Sequence, residues 1–182
     1  MTHDPSRTPE HPSPVDDPDL KRLLKQGQLL HAETDRGAVL VAAAILDELL
    51  REILLEFLVD CDTSKQLLSS ERGGGKLSEY FARTNVAYAL GLVSKSEMKN
   101  LLALGVLRNQ FAHRWEIATF ADLPEATAQL MVLFADEAEK DEPIRVRFNN
   151  VALSLLFALE SRKLEARRER REAREERIVT RL

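Results

Sequence analysis

The feature that most limits the fold of this chain is an apolar pattern with helical spacing between residues 38 and 58. Apolar side chains recur there every three or four residues, which places them on one face of an α-helix. They are Val39, Ala42, Ala43, Leu46, Leu49, Leu50, Ile53 and Phe57. The segment also holds five ionisable side chains, which would be prohibitive in lipid. We therefore predict a long core helix, ending near Asp60, and no membrane partner.

Further helix signals precede and follow this segment. Asp17 and Pro18 are typical of a helix start, Gly91 of a helix end, and Ser94 with Glu97 of a capping box. The predicted helices begin near residues 18, 39, 78, 95, 123 and 144. No segment has the pattern of a strand, so the sequence predicts an all-α bundle of five to six helices.

The ends of the chain differ from its centre in composition. Residues 1–16 are rich in Pro and polar side chains, which predicts a disordered tail. Residues 17–161 form the predicted helical domain, in which 61–77, with three consecutive glycines, is a polar surface loop. Residues 162–182 are predicted to be a solvated, Arg/Glu-rich helical extension held by pairs such as Arg168–Glu172.

Charge and cysteine content exclude several classes of function. Residues 162–182 carry a net charge of +4 and the remaining residues −8, so direct duplex-DNA binding is not expected. The basic extension is left open as a surface for RNA or an acidic partner. One cysteine, Cys61, excludes an internal disulfide and a Cys-based zinc site, and no His pair has metal-ligand spacing. We expect no metal, no cofactor and a cytoplasmic location.

The stretch from Arg108 to His113 contains an R-x4-H pattern, with Asn109 directly after the arginine, at the end of the fourth predicted helix. Arginine is a permanent cation suited to a phosphate, and histidine can take and give a proton near neutral pH. Together they are the minimum set for cutting RNA without a metal. On a regular helix, however, residues five apart lie about 140° apart.

A structural role for the same residues is the alternative. Arg108 would then pair with a carboxylate at the second helix, and His113 would cap its own helix end. Glu33, Asp35 and Arg36 precede the core helix and are interpreted either as helix capping or as a second layer of residues around Arg108. Asp47 lies within the core helix and is a candidate for the same second layer; it is also four residues from Arg51, with which it can pair.

Three separated stretches, in this order, resemble the mannitol operon repressor (MltR-like) family of bacterial proteins. They are residues 33–47 (ETDRGAVLVAAAILD), 87–94 (AYALGLVS) and 108–113 (RNQFAH). That family is all-α and is similar to the HEPN superfamily, whose active members use R-x4–6-H as a metal-independent ribonuclease motif. The resemblance covers roughly residues 30–160.

The resemblance implies roles for the motif residues. His113 would be the general base on a ribose 2′-hydroxyl, Arg108 would hold the scissile phosphate, and Asn109 would contact the substrate or orient the histidine. It also implies a homodimer, with the helix bearing Arg108 near the twofold axis. We expect foremost a helical regulator of gene expression acting through protein or RNA contacts. A toxin-like metal-independent ribonuclease and a structural scaffold are the alternatives, so enzymatic activity is left open.

Overall fold

A computed structural model describes residues 18–71, 74–124 and 142–174. Within these ranges the chain forms six α-helices and one 3₁₀ helix, and no strand. The helices are α1 (Pro18–Ala32), α2 (Asp35–Phe57), α3 (Asp62–Leu68), α4 (Tyr80–Ala89), α5 (Lys95–His113), the 3₁₀ helix Phe120–Asp122 and α6 (Ile144–Arg168). The predicted all-α bundle is confirmed. The predicted disordered segment 1–16 and most of the helix predicted from residue 123 lie outside the described residues.

The core is built around α2, which packs along α6 more extensively than on any other helix described. Every side chain of its predicted apolar face is at most 5% exposed. Burying a large aliphatic side chain stabilises a fold by about 1.5–3 kcal/mol, so this face dominates the hydrophobic stabilisation. The helix begins after Thr34, whose hydroxyl accepts from the Gly37 amide at 3.1 Å. It ends at Phe57, three residues before the predicted end.

The segment predicted to be a polar loop, 61–77, contains a short helix, α3. Leu68 is 1% exposed and anchors this helix to the core. At its start the Ser64 hydroxyl donates to the carbonyl of Val59 at 2.7 Å. The prediction was wrong because a seven-residue helix with one buried leucine carries too little periodicity to be recognised.

The capping signals between α4 and α5 are confirmed. Gly91 has a φ of 75°, a left-handed conformation that glycine adopts without steric cost. Ser94 accepts from the Glu97 amide while the Glu97 carboxylate accepts from the Ser94 amide. This capping box fixes the start of α5, which then remains helical through His113.

The extension predicted after Ser161 is helical through Arg168, whereas residues 169–174 are not helical and residues 175–182 lie outside the described residues. Helix α6 ends at Arg168, so Glu172 lies beyond it and has no i, i+4 helical relation to Arg168. The chain instead returns to the end of α2, where the Arg171 amide donates to the Phe57 carbonyl at 2.8 Å. The Glu56 carboxylate receives guanidinium groups of Arg167 and Arg170, each at 2.7 Å. These contacts hold the end of α6 and the residues after it against the end of α2.

None of the described helices is long and apolar enough to cross a membrane.

Candidate functional site

Helix α5 carries the R-x4-H residues on its solvent side. Arg108 and His113 are exposed and Asn109 is partly buried. The Arg108 guanidinium donates to the Asn109 side-chain carbonyl at 3.0 Å. Because α5 is helical through His113, Arg108 and His113 project about 140° apart. The two side chains therefore do not converge on one target within a single subunit.

A cleft of about 770 Å³ lies between α2, α4 and α5. Arg108, Asn109 and Ala112 line it from α5, and Asp47 lines it from α2, whereas His113 is not among its lining residues. The helices meet closely at its base at Gly105, where an added Cβ would approach the Phe81 ring to 2.8 Å. The lining of the cleft thus includes one guanidinium group, that of Arg108, and two carboxylates, those of Asp47 and Glu79.

Asp47 pairs with neither Arg51 nor Arg108, the two cations predicted as its partners. It pairs with Arg83 at 2.7 Å, while Arg51, its predicted partner, bonds to Glu48 instead. Arg83 is 3% exposed and also donates to the backbone carbonyls of Leu77 and Leu68. Asp47 therefore ties the α3–α4 connection to α2. Among the described residues no carboxylate lies within ion-pair distance of Arg108, so the predicted structural pairing of Arg108 is not found.

Tyr80, also on the cleft wall, is a packing residue. Its hydroxyl donates to the Leu101 carbonyl at 2.9 Å. Burial, with a smaller effect of the Asp47 charge, raises the pKa of Tyr80 well above its ordinary value. The phenol stays protonated at neutral pH and is not available as a base.

Glu33, Asp35 and Arg36 do not surround Arg108. Arg36 donates to the backbone carbonyls of Arg114 and Trp115, at 3.0 and 2.9 Å, and to that of Ile117. These carbonyls belong to the connection that follows α5. The cluster at the start of α2 therefore shapes the segment directly after His113.

The carboxylate of Asp35 and the backbone carbonyl of Glu33 extend the same bracing. Asp35 accepts from the Phe120 amide at 3.0 Å and from Arg145 of α6 at 3.1 Å. The Glu33 backbone carbonyl accepts from Arg145 at 2.9 Å. The interpretation as residues around Arg108 thus finds no contact for these three, whereas Asp47 does share the cleft with it.

The connection after α5, residues 114–119, is anchored on its inner side and open on its outer side. Ile117 and Phe120 are 2% and 5% exposed, and the Phe120 ring lies edge-on to Phe111 at 5.6 Å. Asp122 closes the segment by accepting from the amides of Ala118 and Thr119. The Thr119 amide, foremost, lowers the pKa of Asp122. We call residues 114–119 the braced loop.

The braced loop displays Trp115, which is 86% exposed. Beside it Arg114 pairs with Glu116 at 3.1 Å and donates to Gln110 at 3.2 Å. The sequence analysis did not single out this residue. The available signal was that the chain's one tryptophan lies between charged residues just beyond a helix end, where no apolar periodicity calls for it.

Within the described ranges no group of three or more His, Cys, Asp or Glu side chains could hold a metal ion. The end of α5 and the braced loop after it present an indole, two guanidinium groups and an imidazole, all suited to binding a polar or aromatic surface.

Comparisons with known proteins give a fold likeness. No family model matches the chain and no curated protein matches it. A solved chain of similar fold comes from the X-ray structure of the MtlR–HPr complex from Escherichia coli. The TM-score is 0.54 at 16% identity, over 75% of this chain and 97% of that one. The likeness agrees in fold with the predicted mannitol operon repressor resemblance, while the HEPN relation stays a prediction.

Proposed function

We propose that this chain is a regulator of gene expression that acts by binding a partner protein, and that Trp115 on the braced loop is the centre of the binding surface. The observation that carries the proposal is an indole 86% exposed on a segment whose backbone is held by hydrogen bonds from Arg36 and Asp35. Tryptophan and arginine are enriched among the residues that dominate binding energy.

The bracing makes this loop suited to recognition. Arg36 and Asp35 fix its backbone from α2, and Ile117 and Phe120 fix it from the core. A segment already ordered before binding loses little conformational entropy on association. The affinity gained from burying the indole is therefore not offset by the ordering of the loop.

The partner class follows from charge and from the fold likeness. Residues 1–161 carry a net charge of −8, which disfavours binding to duplex DNA. The solved chain of similar fold was captured in a complex with HPr, which is a protein partner. A protein that meets Trp115 together with Arg114 and Arg108 fits this surface best.

The test is a titration followed by tryptophan emission, since Trp115 is the chain's one tryptophan. Escherichia coli HPr is the first probe, and proteins captured from a bacterial lysate by the full-length chain, then purified, are the second. Binding at this surface shifts the emission to shorter wavelength. Calorimetric titration, which does not depend on tryptophan emission, compares the affinities of the variants. Trp115→Ala weakens binding about thirtyfold or more, the loss expected for a central residue worth about 2 kcal/mol.

The matched control is Tyr88→Ala, which removes another exposed aromatic ring, 40% exposed, at the end of α4. It leaves the affinity unchanged. Equal affinity of the Trp115→Ala variant and the wild type contradicts the proposal. So does an emission shift produced by single-stranded RNA or duplex DNA at physiological salt when no protein produces one.

A metal-independent ribonuclease is the second candidate, favoured by one observation. Arg108 lines an open cleft and has no carboxylate partner among the described residues. Its base, His113, lies on another side of α5, so a complete site needs a second copy of the chain to supply it. The scaffold alternative is weaker, because Arg108 and His113 are both exposed and neither contributes to the core.

A further inference from the structure

An apolar stripe runs along the side of α6 that faces away from α2. Val146, Phe157 and Leu164 are 39%, 44% and 52% exposed, and Leu153 lies between them, partly buried. These residues are spaced by seven, four and seven, which keeps all four within about 40° on the helix surface. Their side of α6 is about 160° from the side that carries Leu155 and Leu159 into the core. The stripe has the spacing of a helix-packing seam; α1 contacts it at Leu153, while Val146, Phe157 and Leu164 stay exposed.

Helix α1 lies beside the stripe and adds Leu24 to its exposed apolar surface. The Asn149 amide lies 3.2 Å from the His31 ring nitrogen, and Arg22 lies 3.7 Å from Glu160. Between these contacts, an added Cβ at Gly27 would come within 3.2 Å of Leu153. The three contacts run antiparallel, so Leu24, 52% exposed, lies level with Phe157.

We propose that this surface, the α6 stripe with Leu24, binds a second copy of the same chain, with the two α6 helices antiparallel about a twofold axis. A twofold interface must be self-complementary, since residue i of one copy meets j of the other and j meets i. The stripe meets this condition because its residues are spaced symmetrically about Leu155. Counted outward from Leu155, Val146 lies as far on one side as Leu164 on the other, and Leu153 as far as Phe157.

The same reversal brings complementary polar groups together at the flanks. Glu142, exposed just before α6, comes level with Arg168, exposed at its end. These opposite charges favour this register over a shifted one. The contact extends over about 27 Å, the length of eighteen helical residues.

The first experiment measures the mass of the full chain by sedimentation equilibrium. We expect a dimer whose dissociation constant rises at least tenfold in the double variant Phe157→Glu, Leu164→Glu. The control Leu67→Glu changes an exposed leucine of α3, away from the stripe, and leaves association unchanged. Unchanged helical content and an unchanged cooperative unfolding transition establish that the double variant is folded. A wild-type monomer at all concentrations, or a dimer indifferent to the double variant, overturns the proposal.

The second experiment keeps the test valid if the double variant does not fold. In a Cys61→Ser background, Val146→Cys and Leu164→Cys chains are prepared separately and mixed under mild oxidation. Antiparallel packing produces a disulfide between the two variants in the mixture and none in either variant alone. A link within Val146→Cys alone contradicts the register. Loss of the dimer by Ala112→Glu, beside Arg108, with the stripe variants unaffected, assigns association to α5 and also overturns the proposal.

Discussion

At the start of α2, Arg36 donates to three backbone carbonyls of the braced loop, whereas Arg108, near the end of α5, bonds only to the side chain next to it. Arg83 behaves like Arg36, with Asp47 and two carbonyls as acceptors. The guanidinium groups of Arg36 and Arg83 are thus engaged by backbone carbonyls, whereas Arg108 and His113 on α5 and Trp115 just after it are exposed to solvent. The arginine side chains therefore fall into two groups: those that hold the backbone in place and those that are exposed for binding.

The largest effect expected from this comparison is at Arg83. Replacement of Arg83 by Leu leaves Asp47 and the carbonyls of Leu77 and Leu68 without their donor, which lowers the free energy of unfolding by about 3 kcal/mol. Arg108→Leu, the matched change on the cleft, stays within about 0.5 kcal/mol. Urea unfolding measures both. Equal losses of unfolding free energy for the Arg83 and Arg108 variants would contradict this difference between hydrogen-bonded and exposed arginines.

Arg36→Ala is expected to cost somewhat less, about 2 kcal/mol, because charged donors to three carbonyls are lost while the core remains packed. Hydrogen exchange should rise in residues 114–120 and not in α6. The control is Arg114→Ala, which removes an exposed guanidinium from the same loop. Should Arg36→Ala leave exchange in the loop unchanged, the bracing would have to come from elsewhere.

The sequence predicted those features that depend on neighbours along the chain. The apolar face of α2, the capping box at Ser94 and the turn at Gly91 each follow from side chains a few residues apart, and all three are confirmed. The interaction of Asp47 with Arg83 spans 36 residues, and local spacing favoured Arg51 instead. Long-range partners of this kind cannot be read from periodicity.

The candidate site likewise has features that the sequence predicted and features that it did not. Exposure of Arg108 and His113 at the end of α5 agrees with the predicted helix boundary, and their separation follows from the regular helix. The role of Arg36 depends on a loop 78 to 81 residues away. Trp115 became notable only once its exposure was known, because a lone tryptophan is equally often a core residue.

A smaller, pH-dependent effect is expected where the chain after α6 returns to α2. The hydrogen bond from Arg167, foremost, lowers the pKa of Glu56, against a smaller opposing effect of burial. A lowered folded-state pKa means that the contact stabilises above the ordinary glutamate pKa, about 4.3, and is lost as the pH falls through the folded value. The contribution is below about 1 kcal/mol, as for other pairs near the surface.

Exchange of the Arg171 amide, which bonds to Phe57, measures this contact. Protection should fall on acidification in the wild type and be low at every pH in Glu56→Gln. Glu172→Gln, in the same segment, serves as the control and should follow the wild type. Protection of Arg171 that is independent of both pH and Glu56 would contradict this assignment.

The smallest effect is expected for the R-x4-H pair. Arg108→Ala and His113→Ala should each change stability by less than about 0.5 kcal/mol, since both side chains are exposed. With the pair divergent on α5, we expect no cleavage of single-stranded RNA in EDTA. Cleavage that leaves cyclic phosphate ends and disappears in His113→Ala would establish the ribonuclease candidate instead.

Time-resolved fluorescence of Trp115 in the isolated chain tests the central claim most directly, because it reports exposure and rigidity of one indole together. We expect the emission of an indole in water, with an anisotropy that decays at the rate of whole-molecule tumbling. Arg36→Ala should add a fast local component. Emission typical of a buried indole, or a fast component already present at full amplitude in the wild type, would contradict a braced, solvent-facing tryptophan.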